Sequence, residues 1–142
     1  MRTAVPAAQL GGVLVTPMIT DGIELIVGVN HDPVFGPVVV CGLGGVLVEV
    51  LNATTLQRAP FSPDAARRMI EGGPAAALLA GVRGRPPGDI DALAAALAAL
   101  SCFAAANAQW LASVDINPMV VRPVGRGAVA LDAVIAVRAD RR

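Results

Sequence analysis

Between Asp91 and Asp115 the chain carries no charged residue, and a stretch that long must either cross a membrane or form a helix with one buried stripe. Its composition decides between the two. Nearly half its positions are alanine, Ser101, Asn107, Gln109 and Ser113 interrupt the run, and Ile90, Leu93, Leu97 and Leu100 recur at spacings of three and four. That is the period of one helix face. The expectation is a soluble amphipathic helix capped by Asp89, with no membrane span, and a fold that offers an apolar surface for it to lie on.

Strands are the expected source of that surface. Residues 13–19, 23–29, 37–41 and 46–51 are short apolar runs rich in Val, Ile and Leu, 55–59 is read as a further short extended stretch, and turn residues such as Asp21-Gly22, read as a hairpin signal, and Asp32-Pro33 divide them. Ser62-Pro63-Asp64 supplies an N-cap, a first-turn proline and an acid near the positive helix end, which predicts a helix over 63–71 stopped by Gly72-Gly73-Pro74. After the long helix, extended runs return at 114–116, 119–122 and 128–137, with Gly125-Arg126-Gly127 as the last turn. Neither strand set alone is long enough to bury its apolar side. The two ends must therefore share one sheet: a single α/β domain over residues 1–142, largely antiparallel, with the helices packed on one face.

Charge and cysteine content remove several functions. Eleven basic residues, all arginine and scattered, balance eleven acids, so the basic footprint of a nucleic-acid or anionic-membrane binder is missing. Without lysine, a Schiff-base enzyme and a P-loop are excluded for this chain. Cys41 and Cys102 lie in apolar stretches and are expected to be buried thiols. Pro6, Gln9 and Gly11-Gly12 break the apolar start, so a secretory signal is not expected and the location is read as cytoplasmic.

The chemistry-bearing residues cluster near the chain end. A hairpin centred on the pair Val124-Gly125 would set Asn117 seven residues before Val124 and Asp132 seven residues after Gly125, directly opposite one another, where Cβ atoms are about 4.5 to 5.5 Å apart. An amide and a carboxylate so placed can hold neighbouring positions around a nucleotide-borne Mg²⁺. Asp115, two residues earlier, falls on the same face and could add a carboxylate. The same residues would also suit a turn before Pro118 and a loop cap at Asp132. Gly42, Gly44 and Gly45 form either a backbone nest for an anion or an ordinary turn. Glu49, like Glu24, stands in an apolar run and faces either solvent or a cleft. His31, the single histidine, reads as a turn residue.

Taken in order, the segments 22–29, 32–37 (Asp-Pro-Val-Phe-Gly-Pro), Gly42-Leu43-Gly44-Gly45 with Val48-Glu49, Asp115-Ile116-Asn117-Pro118 and Leu131-Asp132-Ala133 resemble the carboxy-terminal part of the ATP-grasp domain of NDP-forming acyl-CoA synthetases. ADP-forming acetate-CoA ligase and, more distantly, the succinyl-CoA synthetase beta subunit belong to the same group. The resemblance covers nearly the whole chain and implies the carboxy-terminal ATP-grasp lobe. It places Asn117 and Asp132 at the magnesium positions, Asp115 and Glu49 as candidate catalytic acids beside phosphoryl transfer, and Gly42, Gly44 and Gly45 at the nucleotide. ATP and Mg²⁺ are then the implied cofactors. The reaction it implies converts ATP, a carboxylic acid and CoA to acyl-CoA, ADP and phosphate through an acyl-phosphate and a phosphohistidine. CoA would enter only through a partner that carries the CoA site and that histidine. The first ATP-grasp lobe, with its basic nucleotide-holding residues, is a second required partner, so a lone chain is expected to be inactive. A non-catalytic remnant or regulatory segment, related to protein acyltransferases that contain an ATP-grasp-like domain, is the alternative reading.

Overall fold

The computed structural model describes residues 12–44, 54–82 and 84–138. Six strands, β1 (Ile23–Asp32), β2 (Gly36–Leu43), β3 (Thr54–Arg58), β4 (Leu111–Val121), β5 (Ala128–Ala130) and β6 (Ala133–Val137), form one sheet. Its order is β3-β2-β1-β4-β5, with β6 also on β4, and the described pairings are antiparallel. Among the described residues, three helices, α1 (Pro63–Glu71), α2 (Ala76–Leu79) and α3 (Ile90–Ala106), connect the two strand sets. The join between β1 and β4 is where the two chain ends meet, as the shortness of each strand set requires.

Alternation along β1 separates the two faces of the sheet. Ile23, Leu25, Val27 and Val29 are buried, whereas Glu24 and Asn30 are exposed. The buried set meets Val39 and Cys41 of β2 and Leu111, Val114, Met119 and Val121 of β4 in one core with Ala66, Met69 and Ile70 of α1 and Leu93, Leu97 and Ala104 of α3. Each large side chain so buried contributes about 1.5 to 3 kcal/mol relative to exposure. The helices thus cover one face and leave the even-numbered positions of β1 on the other.

Both long helices begin where their caps dictate. The Ser62 hydroxyl accepts the Ala65 N–H at 3.3 Å and the Asp89 carboxylate accepts that of Ala92 at 3.1 Å. Ser101, fully buried in α3, accepts the Phe61 N–H at 3.1 Å and donates to the Ala98 carbonyl at 2.7 Å. No described helix is long and apolar enough to cross a membrane, because α3 stops at Ala106 and Leu111 opens β4.

Several expectations are corrected. The run 13–19 forms no strand: Val13, Leu14, Val15 and Met18 stand about nine-tenths exposed with no pairing partner among the described residues. Asp21-Gly22 consequently turns no hairpin. Asp21 instead takes ion pairs from Arg122 and Arg126, both at 3.2 Å. Residues 114–122 do not break before Pro118, since β4 runs through it, while 128–137 breaks at Leu131-Asp132 into β5 and β6. Helix α2 was not foreseen. Cys102 is exposed, because it sits one step round the helix from the stripe containing Leu97 and Ser101. The expected run 46–51 lies outside the described residues.

Candidate functional site

A proline inside a central strand removes a ladder donor, and such residues are confined to edges and bulges. Pro118 follows the rule. Leu25 pairs with Met119, but Val27 pairs with Ile116, so Asn117 and Pro118 together oppose Ile26 alone. This bulge bends β4 and re-aims the residues beside it. On the opposite edge of β4 the register continues without slip, from Met119 with Ala130 to Ile116 with Ala133. Asn117 and Asp132 therefore fall opposite one another, and the Asn117 N–H donates to the Asp132 carbonyl at 3.2 Å. The next bond, from the Leu131 N–H to the Pro118 carbonyl at 3.0 Å, uses the proline's acceptor. The pairing is the one that the spacing around Val124 and Gly125 predicts.

Asp115 pairs with Gly28 on one side and Val134 on the other, which puts it on the sheet face that the helices leave uncovered. Asp115, Asn117 and Asp132 are all exposed. The ion pairs among the described residues lie elsewhere. No described group of three or more His, Cys, Asp or Glu forms a self-sufficient metal site. An amide and two carboxylates, close in the fold and open to solvent, nonetheless make an all-oxygen donor set of the kind Mg²⁺ takes when phosphates and water complete its shell.

Beside these residues the open face is hollowed. One depression, of about 340 Å³, is lined by Ile26, Gly28, Asn30, Val40, Ser113 and Asp115. It adjoins a second, of about 500 Å³, through the shared residues Asn30 and Val40, and His31, Phe35, Leu56 and Arg58 line that one. Gly28 makes the floor low: a Cβ there would stand 2.9 Å from the Val114 carbonyl oxygen. Gly42, paired with Ile26 and Thr54, likewise puts no side chain on this face. Sequence reasoning did not single out Gly28, although a lone glycine inside an apolar strand is the ordinary signal of close backbone approach. A third hollow, at Asp21, Arg85 and Pro123, contains none of the candidate residues.

The glycine run is placed only in part. Gly42 lies within β2, and the Gly44 N–H is committed to the Glu24 carbonyl at 3.2 Å, where a Cβ would clash with that oxygen at 2.9 Å. Gly45 and Glu49 lie outside the described residues. Glu24 is exposed on the open face. His31, at the end of β1, is half-buried opposite Pro37, and the adjoining turn is closed by Asp32, whose carboxylate accepts the Val34 and Phe35 N–H groups at 2.8 Å each. Those two bonds hold the Asp32 carboxyl below the usual carboxylate range. Burial pushes the Cys41 thiol up to about 11, so it stays protonated and is no nucleophile at neutral pH.

Comparison with known proteins agrees with this architecture. Residues 1–137 match the model of an ATP-grasp domain. The acetate-CoA ligase [ADP-forming] II subunit beta of Pyrococcus furiosus is 39% identical over 133 residues, which are 94% of this chain and 56% of the relative. The dinucleotide-forming acetyl-coenzyme A synthetase 1 of Ca. Korarchaeum cryptofilum, in complex with coenzyme A, Ca-AMPCP and HgCl+, superposes with a TM-score of 0.84 at 39% identity, over 96% of this chain and 58% of that one. Its form with coenzyme A and Mg-AMPPCP gives 0.78 at 39% identity, over 84% and 55%. The chain spans little more than half the length of these relatives. An antiparallel sheet with helices on one face, a bulged strand carrying an oxygen-donor pair on the other, and this extent of similarity together show that the chain belongs to the ATP-grasp domain family.

Proposed function

We propose that this chain is the carboxy-terminal, magnesium- and ATP-holding lobe of an ADP-forming acyl-CoA synthetase. The observation that carries the reading is the bond from the Asn117 N–H to the Asp132 carbonyl, which sets an amide and a carboxylate side by side on the uncovered face, next to the hollow floored by Gly28. Asn117 and Asp132 would hold the nucleotide's Mg²⁺. Bound there, the ion would neutralise charge developing on the phosphate oxygens. Asp115, on the wall of the hollow, stands beside the phosphoryl group. Gly28 and Gly42 admit the nucleotide by leaving the sheet surface bare, and Gly44, Gly45 and Glu49 are assigned to the same nucleotide, the glycines to its binding and Glu49 to catalysis.

Phosphoryl transfer needs positioning from several parts at once. The covering lobe with its basic residues and the unit carrying CoA and the phosphohistidine are the partners this reading requires, and the site of action is cytoplasmic. The apolar segment Val13 to Met18, about nine-tenths exposed, suits a connection into the covering lobe. Alone, the chain should bind Mg-ATP weakly and make no acyl-CoA. With both partners supplied, Asp132→Asn should lower turnover at least tenfold while leaving the melting temperature near that of the parent, and His31→Asn should change turnover little. Failure of the partners to restore any turnover would instead favour a non-catalytic, regulatory segment. Equal losses from the two substitutions would refute the placement of the metal.

A further inference from the structure

A carboxylate from a distant part of the chain holds the turn of the hairpin that brings Asn117 to Asp132. Asp89, which is 9% exposed, uses one oxygen to cap α3. Its other oxygen accepts the Gly125 N–H at 2.9 Å and the Gly127 N–H at 3.0 Å. Both glycines have positive φ, +78° and +83°, and their N–H groups converge on the single oxygen as in an anion-binding nest. The backbone completes the clamp. The Asp89 N–H donates to the Arg122 carbonyl at 2.8 Å, the Val124 N–H to the Pro87 carbonyl at 3.1 Å, and an isolated bridge joins Gly88 to Pro123.

Hairpin register is fixed at the turn, and a slip of one residue transfers every side chain to the other face. Between this turn and the break at Leu131-Asp132 stand three residue pairs, Val121 with Ala128, Val120 with Val129 and Met119 with Ala130. The place of Asp132 against Asn117 thus depends on where the turn is held. We propose that Asp89 is a positioning residue for the Asn117–Asp132 pair: by fixing Gly125 and Gly127 on the start of α3, it sets the register that brings the two candidate ligands together. Its consequence for catalysis rests on the function proposed above, whereas the register itself is open to a separate test.

That test is native-state amide hydrogen exchange of the full chain, followed by NMR. Asparagine is a good N-cap, so Asp89→Asn keeps the helix start but replaces the charged acceptor facing the two glycines. Exchange at Asn117 and Leu131, whose N–H groups bond across the hairpin, should quicken about tenfold or more in this variant, and β1–β2 amides should keep their rates. Faster exchange confined to the first turn of α3, with Asn117 and Leu131 unchanged, would reduce Asp89 to a helix cap and overturn the proposal. Should the variant not fold, a chain with Asp115→Asn and Asp132→Asn, which lacks the two carboxylates beside these amides and keeps Asp89, gives a second readout. On acidification its Gly125, Gly127, Asn117 and Leu131 amide resonances should shift together at one midpoint, and failure of the last two to follow would equally overturn the proposal. Absence of metal binding with the exchange result intact would refute the ligand assignment and leave the role of Asp89 in place.

Discussion

Replacing Gly28 by alanine should destabilise the protein, although the usual effect of such a change in a strand is the reverse. Alanine loses less backbone freedom on folding than glycine, which by itself stabilises by about 0.4 to 1 kcal/mol. At Gly28 the added Cβ would stand 2.9 Å from the Val114 carbonyl oxygen, which is backbone in the ladder between β1 and β4 and cannot rotate away. The strands would have to part by a few tenths of an ångström beside Val27 and Val29, which are about 1% exposed and packed against the helices. Overpacking of this kind costs about 1 to 3 kcal/mol. The central values, about 2 and about 0.7 kcal/mol, leave a net loss of about 1.3 kcal/mol, and at roughly 3 °C per kcal/mol for a domain of this size the melting temperature falls by about 4 °C. Thermal unfolding followed by circular dichroism measures it. An unchanged or raised melting temperature would refute the close approach of β1 to β4 at this point, and with it the low floor of the open face.

Two further outcomes are expected. Asp21, held low first by the Arg122 side-chain hydrogen bond, Asp32, held low by the Phe35 and Val34 N–H groups, and Asp89, held low by the N–H groups of Gly127, Ala92 and Gly125, all titrate below their ordinary value in the folded chain. Each binds its proton more readily unfolded, so its stabilisation is complete above about pH 4 and is lost as pH falls through the lower folded value. Urea midpoints should therefore drop below pH 4, less steeply in Asp89→Asn than in the parent. With a disulfide-exchange reagent at neutral pH, the exposed Cys102 should react at once, while the buried Cys41, its thiol pushed up to about 11, should react only in denaturant. Two fast thiols would contradict the packing of β2.

Local chemistry made the helices legible: Ser62 and Asp89 are caps whose function needs only the next three residues, and the leucine spacing of α3 fixes its buried stripe. The Asn117–Asp132 register was legible too, because a hairpin reduces pairing to arithmetic around its turn. What the sequence withheld depends on partners far along the chain. Residues 13–19 have the composition of a strand, but a strand also requires a neighbour, and composition does not supply one. Pro118 argues locally for a turn, and only the single opposing residue of β1, Ile26, reveals that the chain passes it in a bulge. The second role of Asp89 arises from turn residues more than thirty positions away. Gly28 was readable in principle, from its place among apolar neighbours.

Whether Asn117 and Asp132 hold a divalent cation is tested most directly by titrating the ¹⁵N-labelled chain with Mn²⁺, whose paramagnetic broadening reports even weak binding at the residues nearest the ion. The expected result is early, selective loss of the Asn117 side-chain amide signal and of the Asp115 and Asp132 backbone signals, reversed by excess Mg²⁺ and much reduced in Asp132→Asn. Broadening spread evenly over the exposed acids Asp64, Glu71 and Asp91, with no preference for Asn117, would contradict the assignment of this hairpin as the metal-holding part of the site.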